Sequence, residues 1–522
     1  MEGSSLSAAA TGVPLSPEEQ FSEHPPFSPS RWWRIADLYC FAVWLAVVAG
    51  IEARHEPWAD ESQAWLLARD LNLKTLWFKE LRYEGTPGLW HTILWVAQHW
   101  FHAPYSALGI VGYLCSALGV VFILWKSPFP RPLTYLLLFS YFIAYQYAVV
   151  ARSYNLLLLF VFVAAYLYGK RERPLAMMLV LMMMANTSVH GMLLAASLGV
   201  CYLIEAYRER SQMSVSVRRG YLAAVIIFIT DFAFLIFVLR PTPDVSEFAV
   251  HNPATASNSH WVGQLSEIVC FAFFDNAVAS ALFLLVAAVW CLQRRKFLSF
   301  VLPVSLLLAF YVFVHGRPHH HGLAFLAAIA GIWIAYPTPE ERSAFTNRAR
   351  LLTLGMVCLL ACLFSLNVWD AAVAMRKDYL YPYSGSEDAA SFVKKVGADK
   401  ARTFGYKYGI SAVQAYFDHN ILQNIPTTYY HEGVPLYGGQ LDLNEIGRER
   451  PDYLILFSNS SATDFSIFDP PLRQAGYRLV HFSDGHIFYK RTFFDTASYF
   501  IYRHEITGVA QNQGVRPNSA PE

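Results

Sequence analysis

Long apolar runs separated by short polar turns set the plan of this chain. The runs fall at roughly 35–51, 105–125, 133–149, 153–168, 174–187, 190–206, 220–239, 273–291, 297–314, 321–336 and 350–367. Each is near the length a tilted helix needs to cross about 30 Å of hydrocarbon. The pattern predicts a polytopic α-helical membrane protein with about eleven transmembrane helices. One further stretch, 88–102, is apolar but short and carries His91, Gln98, His99 and His102, so it reads as a juxtamembrane or re-entrant helix.

Between the first and second runs lies the one long charged interval, residues 52–104, with Arg54, His55, Glu56, Asp60, Glu61, Arg69, Asp70, Lys79, Glu80, Arg82 and Glu84. A segment this polar cannot sit in hydrocarbon and belongs at one membrane face. Within it Ala64, Leu67, Ala68 and Leu71 follow the i, i+3, i+4, i+7 rule, and Trp77, Phe78 and Leu81 repeat it. This predicts two short helices lying flat in the interface. After Asn367 the hydropathy collapses, and 368–507 reads as a soluble α/β or α+β domain. Its helices are expected over 387–395 and 411–417 and its strands over 453–457, 477–482 and 486–490. Residues 1–34, rich in Ser and Pro, and the tail 508–522 read as disordered. The first run lacks the features of a cleavable signal and is read as an uncleaved span.

Lys and Arg choose the orientation. Arg31/Arg34, Lys126/Arg131, Lys170/Arg171/Arg173, Arg208/Arg210/Arg218/Arg219, Arg294/Arg295/Lys296 and Arg342/Arg348/Arg350 fall on alternate loops. By the positive-inside rule the N-terminus is cytoplasmic, while the 52–104 loop and the C-terminal domain are extracytoplasmic. Composition agrees with the class: of 522 residues 55% are hydrophobic, 16% aromatic and only 15% charged, with mean hydropathy +0.30, against about 25% charged in a soluble domain. A net charge of +1 with scattered basic residues argues against a nucleic-acid partner. The seven cysteines lie in or beside apolar runs without a Cys-x-x-Cys pair, implying neither a disulfide nor a zinc framework.

The turns assigned to the outer face, 151–155, 186–190, the longer stretch from 240 to about 276, and 315–321, gather Arg, His and Asn, whereas the inner turns hold almost no histidine. Chemistry is therefore expected outside. Asp60 reads as a general base with Glu61 as its helper; adjacent acids at a helix start face different ways, so one of them addresses the reaction. Asp60 with Gln63 also fits a capping box that would only satisfy backbone donors. Arg152 reads either as an interfacial anchor or as a clamp on a phosphate, to which a guanidinium offers a planar fork. Arg317 with His319 and His320 forms a second cationic cluster. With His321 the triplet also offers nitrogen ligands to a divalent cation, although three successive residues cannot all turn to one ion. His190 is a substrate contact or a hydrogen-bonded interior residue. Glu84, with its backbone fixed by Gly85 and Pro87, is a second acid near the acceptor or a solvated loop charge. His91 and Tyr154 complete the substrate-binding set.

Asp60-Glu61 after the first span, Thr86-Pro87-Gly88-Leu89 at the next helix start, the Ala151-Arg152-Ser153-Tyr154 turn and a C-terminal soluble domain together resemble the GT-C fold membrane glycosyltransferases. That group includes protein O-mannosyltransferases and the bacterial lipid A aminoarabinose transferase. Pro87-Gly88 stands where a proline pair is commoner, and Gln63-Ala64 where some relatives carry a histidine. The likeness covers residues 35–170 by motif and the rest by layout. It implies a bacterial inner-membrane enzyme that transfers a sugar, with inversion, from a polyprenyl-phosphate carrier to a hydroxyl of a lipid, glycan or protein, Asp60 being the base. Two rivals stand beside it. A transporter or flippase of lipid-linked glycans would place charges at the bilayer midplane, and no inverted repeat is visible. A non-enzymatic envelope assembly protein would leave the acidic pair without a task.

Overall fold

The computed structural model describes residues 31–240, 261–314, 316–431 and 441–505. The disordered segments expected at the two ends lie outside these residues, apart from 31–34, which open the first helix at Arg31. All eleven apolar runs fall on helical segments. Among the described residues five helices are long and apolar enough to cross a membrane: Trp32–Glu52, Ala107–Lys126, Val189–Gln212, Val215–Val238 and Asn347–Leu380. A bent pair, Trp261–Ala272 with Ala277–Gln293, makes a sixth when counted as one, and Tyr154–Leu167, Pro174–Ala185 and Phe297–Phe313 are shorter apolar helices.

Three runs depart from simple spans, each for a local reason. The 133–149 run is a helix Arg131–Leu138 followed by a wide π turn, Phe142–Gln146, buried along its length. The bent pair turns by 77°, where Asp275 takes a left-handed φ of 53° and Asn276 caps Ala279 N–H at 2.9 Å; its first helix occupies part of what reads as an outer loop. The last membrane helix does not stop at Asn367 but continues to Leu380, with Asp370 and Asp378 buried on the extension. The π turn meets the helix Pro318–Ala335 at Gly322, where a Cβ would overlap the Phe142 ring and lie 2.6 Å from Tyr147 Oη. Gly322→Ala is therefore expected to destabilise the protein by about 1–3 kcal/mol, the usual effect of overpacking. A lowered thermal midpoint in detergent checks this, and an unchanged midpoint would mean the two segments separate freely.

The charged interval folds as Ala59–Asp70, a kinked run made of Leu73–Thr75, Leu76–Glu80 and Leu81–Glu84, and Leu89–Phe101. The last is too short to be a span, as its sequence suggests. Ala59–Asp70 is not half-solvated, however. Ala64, Trp65 and Ala68 pack on Trp90, Leu94 and Ala151, while Leu66 and Leu67 pack on Leu81, Ala415 and Tyr429. The C-terminal region covers the face that a flat interfacial helix would turn to water.

That region holds a four-stranded sheet: β1 (Thr403–Tyr406), β2 (Tyr453–Ser458), β3 (Tyr477–Ser483) and β6 (Ser498–His504), in the order β1-β2-β6-β3. β1 and β2 are parallel, and β6 pairs antiparallel with both β2 and β3. A separate hairpin of β4 (His486–Tyr489) and β5 (Thr492–Thr496) leans on the membrane helices. Its turn is pinned there by Lys490, 2.7 Å from Asp275 and 3.3 Å from Asp370, and by Arg491, 2.9 Å from Asp370.

The helices run between two ends of different chemistry. At one end Glu205 pairs with both Arg171 and Lys296, Arg294 with Glu341 and Arg131 with Asp37. The opposite ends of the same helices, at Tyr154, His190 and His319, surround a cavity.

Candidate active site

Four helices begin at this cavity, and each contributes side chains from its first turn: Asp60 from Ala59–Asp70, Tyr154 from Tyr154–Leu167, His190 from Val189–Glu209, and His319 and His320 from Pro318–Ala335. Local sequence fixes each start. Glu61 accepts the Trp58 N–H at 3.2 Å, Asn155 Oδ1 accepts the Arg152 N–H at 2.7 Å, Ser188 Oγ accepts the Gly191 N–H at 3.0 Å, and Pro318 opens the fourth helix after an extended Arg317. Helix amino ends carry unsatisfied N–H groups and positive potential, so their convergence makes a field suited to an anion.

The cavity encloses about 580 Å³. Of the sequence-predicted residues, Asp60, Glu84, Arg152, Tyr154, His190, Arg317, His319 and His320 line it. Arg152 Nη1 lies 3.0 Å from Asp60 Oδ2, with both side chains partly exposed. Its guanidinium sits 5.5 Å from the Tyr154 ring centre. Tyr154 Oη is 3.4 Å from His190 Nδ1, and the His190 and His320 rings lie 4.5 Å apart. Glu84 accepts from Gln63 Nε2 at 2.8 Å, just before Gly85 closes its helical turn at a left-handed φ of 58°.

Glu61 and His91 do not line the cavity. Glu61 is fully buried and accepts the Ala151 N–H at 2.6 Å, next to the Arg152 turn, away from the cavity lining. The capping that the sequence suggests for Asp60 and Gln63 is done by Glu61. Gln63 instead pairs both ways with the Tyr430 backbone, at 2.7 Å each. His91 is buried on Leu89–Phe101, and burial pushes its imidazole down to about 4, leaving it neutral. The histidine triplet diverges: His319 Nδ1 meets Tyr489 Oη at 3.1 Å, His320 Nδ1 accepts the Arg317 N–H at 3.3 Å, and His321 turns toward Phe271. Among the described residues no three His, Cys, Asp or Glu side chains come together as a metal site.

The C-terminal region supplies a wall that no sequence motif announces: Tyr408, Asn459, Ile487, Tyr489, Phe494 and Asp495. Burial and the charge of Asp60 raise the Tyr489 and Tyr408 phenols above their usual range, so both remain neutral hydroxyls, able to donate and accept. Burial raises the Asp495 carboxyl, against the pull of the Thr496 N–H and of Arg317.

Compared with solved structures, the chain superposes on crystal structures of ArnT from Cupriavidus metallidurans. With the form bound to undecaprenyl phosphate the TM-score is 0.53 at 11% identity, over 92% of this chain and 99% of the other. The chain has the fold of ArnT. With the apo form of ArnT the TM-score is 0.51 at 12% identity, over 90% and 98% of the two chains. The layout expected from the loop motifs is thus found along nearly the whole length of ArnT. No family model and no curated protein sequence matches the chain.

Proposed function

We propose that this protein is an inverting membrane glycosyltransferase that moves a sugar from a polyprenyl-phosphate carrier to an acceptor hydroxyl on the extracytoplasmic face of a bacterial inner membrane. The observation that carries the reading is the convergence of four helix amino ends and of Arg152 and Arg317 on Asp60, in a single cavity that Glu84 and Asp495 also line. The carrier phosphate of a lipid-linked sugar is the anion such a site favours, and ArnT, whose fold the chain shares, has been crystallised with undecaprenyl phosphate.

In this mechanism Arg152 and Arg317 hold the carrier phosphate, and the acceptor oxygen attacks the anomeric carbon from the opposite face. The bond from that carbon to the phosphate oxygen breaks, and the leaving phosphate's growing charge is stabilised by the guanidiniums and helix ends. Asp60 takes the acceptor proton. At rest Asp60 is paired with Arg152 at 3.0 Å. An arriving phosphate gives the guanidinium a competing partner and leaves the carboxylate to the acceptor. Tyr408 and Tyr489 are placed to bond sugar hydroxyls. The direct test is release of polyprenyl phosphate from a sugar-loaded carrier by purified protein in proteoliposomes; no turnover with any hexosyl or pentosyl donor would overturn the reading.

The reading requires about eleven spans, with Asp60, His319 and the region after the last span outside and Arg173, Arg218 and Arg295 inside. Single cysteines at these positions in intact cells are expected to label from outside only in the first group. Outside labelling at residue 295 would invert the scheme.

A further inference from the structure

Behind the cavity lies a buried charge cluster for which neither the motifs nor the proposed chemistry has a use. His55, just beyond the first membrane helix, is enclosed, with a side chain 3% exposed. Its Nδ1 lies 2.8 Å from Asp378 Oδ2 and its Nε2 3.2 Å from Glu61 Oε2. Both partners have fully buried side chains. Each carboxyl also meets fixed donors: Tyr145 Oη donates to Asp378 at 2.9 Å, and Glu61 accepts from the Trp58 and Ala151 N–H groups, one on each oxygen. Each carboxyl therefore turns an acceptor oxygen to the ring; Tyr145 shares Asp378 Oδ2 with it, and Asp378 Oδ1 is buried without a hydrogen bond among the described residues. Only a doubly protonated imidazole can then donate to both, because a neutral ring would turn a lone pair toward one of them.

We infer that His55, held as an imidazolium between Glu61 and Asp378, is a positioning residue of the transfer site: through Glu61 it fixes the Ala151-Arg152 turn and so the placing of the Arg152 guanidinium beside Asp60. The chain of contacts is continuous, from Asp378 near the end of the last membrane helix through His55 and Glu61 to the Ala151 N–H, one residue from the donor clamp. The clamp thereby ties three segments far apart in sequence to the reacting acid. This inference rests on the glycosyltransferase reading for its kinetic consequence and on geometry alone for its charge state.

The electrostatic setting agrees. Burial alone would lower His55, but Asp378 and Glu61 outweigh it and raise the imidazole well above its usual value. Glu52 and Glu56 also face it electrostatically, and the Tyr383 ring lies 4.7 Å away, tilted by 49°. A histidine raised in the folded state stabilises fully below its unfolded value of about 6.5, and that stability is lost as pH rises through the folded value. Burial and Glu387 raise the Glu56 carboxyl to about 7, so its loss of stability with rising pH is complete near neutrality and precedes that of His55.

The test uses the full-length protein in detergent and His55→Gln, which keeps one donor but not the charge. The wild-type thermal midpoint is expected to fall on the alkaline side, and His55→Gln is expected to lack that fall. In transfer assays His55→Gln should raise the donor KM roughly 10- to 100-fold, the scale of an ångström's misplacement, and move the acceptor KM less. Adding Asp378→Asn, which removes one uncompensated carboxylate, should restore part of the donor KM. Parallel pH curves for wild type and His55→Gln would overturn the charge assignment. A wild-type donor KM in His55→Gln would overturn the positioning role. If wild type transfers no sugar but the pH curves diverge, the clamp stands and the glycosyltransferase reading fails. Should His55→Gln not fold, Asp378→Asn alone decides, because the alkaline fall must then be smaller and end at lower pH, its onset staying at the unfolded value; an unchanged size and end point count against the clamp.

Discussion

Asp60→Asn is expected to insert and fold as the wild type does, yet to transfer sugar roughly 10²- to 10⁴-fold more slowly, the usual share of general-base catalysis. Asparagine preserves the shape and, like aspartate, suits a helix start, but its amide cannot take a proton. The fold should tolerate the change because helix initiation rests on Glu61, which accepts the Trp58 N–H. The pair with Arg152 is partly exposed on both sides, and such pairs contribute only about 0–1 kcal/mol. Asp60→Ser should be as inactive and as well folded. Transfer from a polyprenyl-phosphate donor, measured beside expression level and thermal midpoint, separates these effects. An active, well-expressed Asp60→Asn protein would remove Asp60 from the chemistry and bring forward Glu84, the other predicted acid on the cavity wall.

Arg152→Ala should reduce donor use about 10- to 100-fold, because a charge-assisted hydrogen bond to phosphate is worth roughly 1.5–3 kcal/mol. Arg152→Lys should fall between Ala and wild type, since an ammonium keeps the charge but loses the planar fork. The loss should appear in the donor response and leave acceptor saturation nearly unchanged. Arg317 is the more exposed of the two, so Arg317→Ala should follow the same order with a smaller effect. Full donor response in both alanine variants would return these residues to interfacial anchors.

How much of this was legible in the sequence depended on range. Apolar length placed the eleven helical runs, and i, i+3, i+4 spacing placed Ala59–Asp70, because both signals are local. The same spacing could not show that Gln63 and Leu66 on the other face meet Tyr430 and Ala415, more than 300 residues away. Polar turns pointed to Arg152, His190 and Arg317 because turns ending on one face share its chemistry. Which of the two adjacent acids faces the cavity was not legible, because they look alike in sequence; the bond from the Ala151 N–H shows that Glu61 is the one turned inward. The strands 453–457, 477–482 and 486–490 were readable from their β-branched and aromatic content, but β1 and β5 were not, and neither was β6. Its sequence, Ser-Tyr-Phe-Ile-Tyr-Arg-His, is just as strand-like, yet it runs on from Thr492–Thr496 with no Gly or Pro between to mark a boundary.

β6 is the strand to which both β2 and β3 pair, and β4 and β5, which bring Tyr489 and Asp495 to the cavity, immediately precede it. On the proposed topology this part of the chain is synthesised after all the membrane helices and must cross the bilayer before it can fold. A ribosome-bound chain would then hold its membrane helices, Asp60 and Arg152 in place while lacking one wall of the cavity. Catalytic competence would arrive late in biogenesis, only after export of the sheet, so a half-made enzyme could not consume lipid-linked sugar during its own insertion.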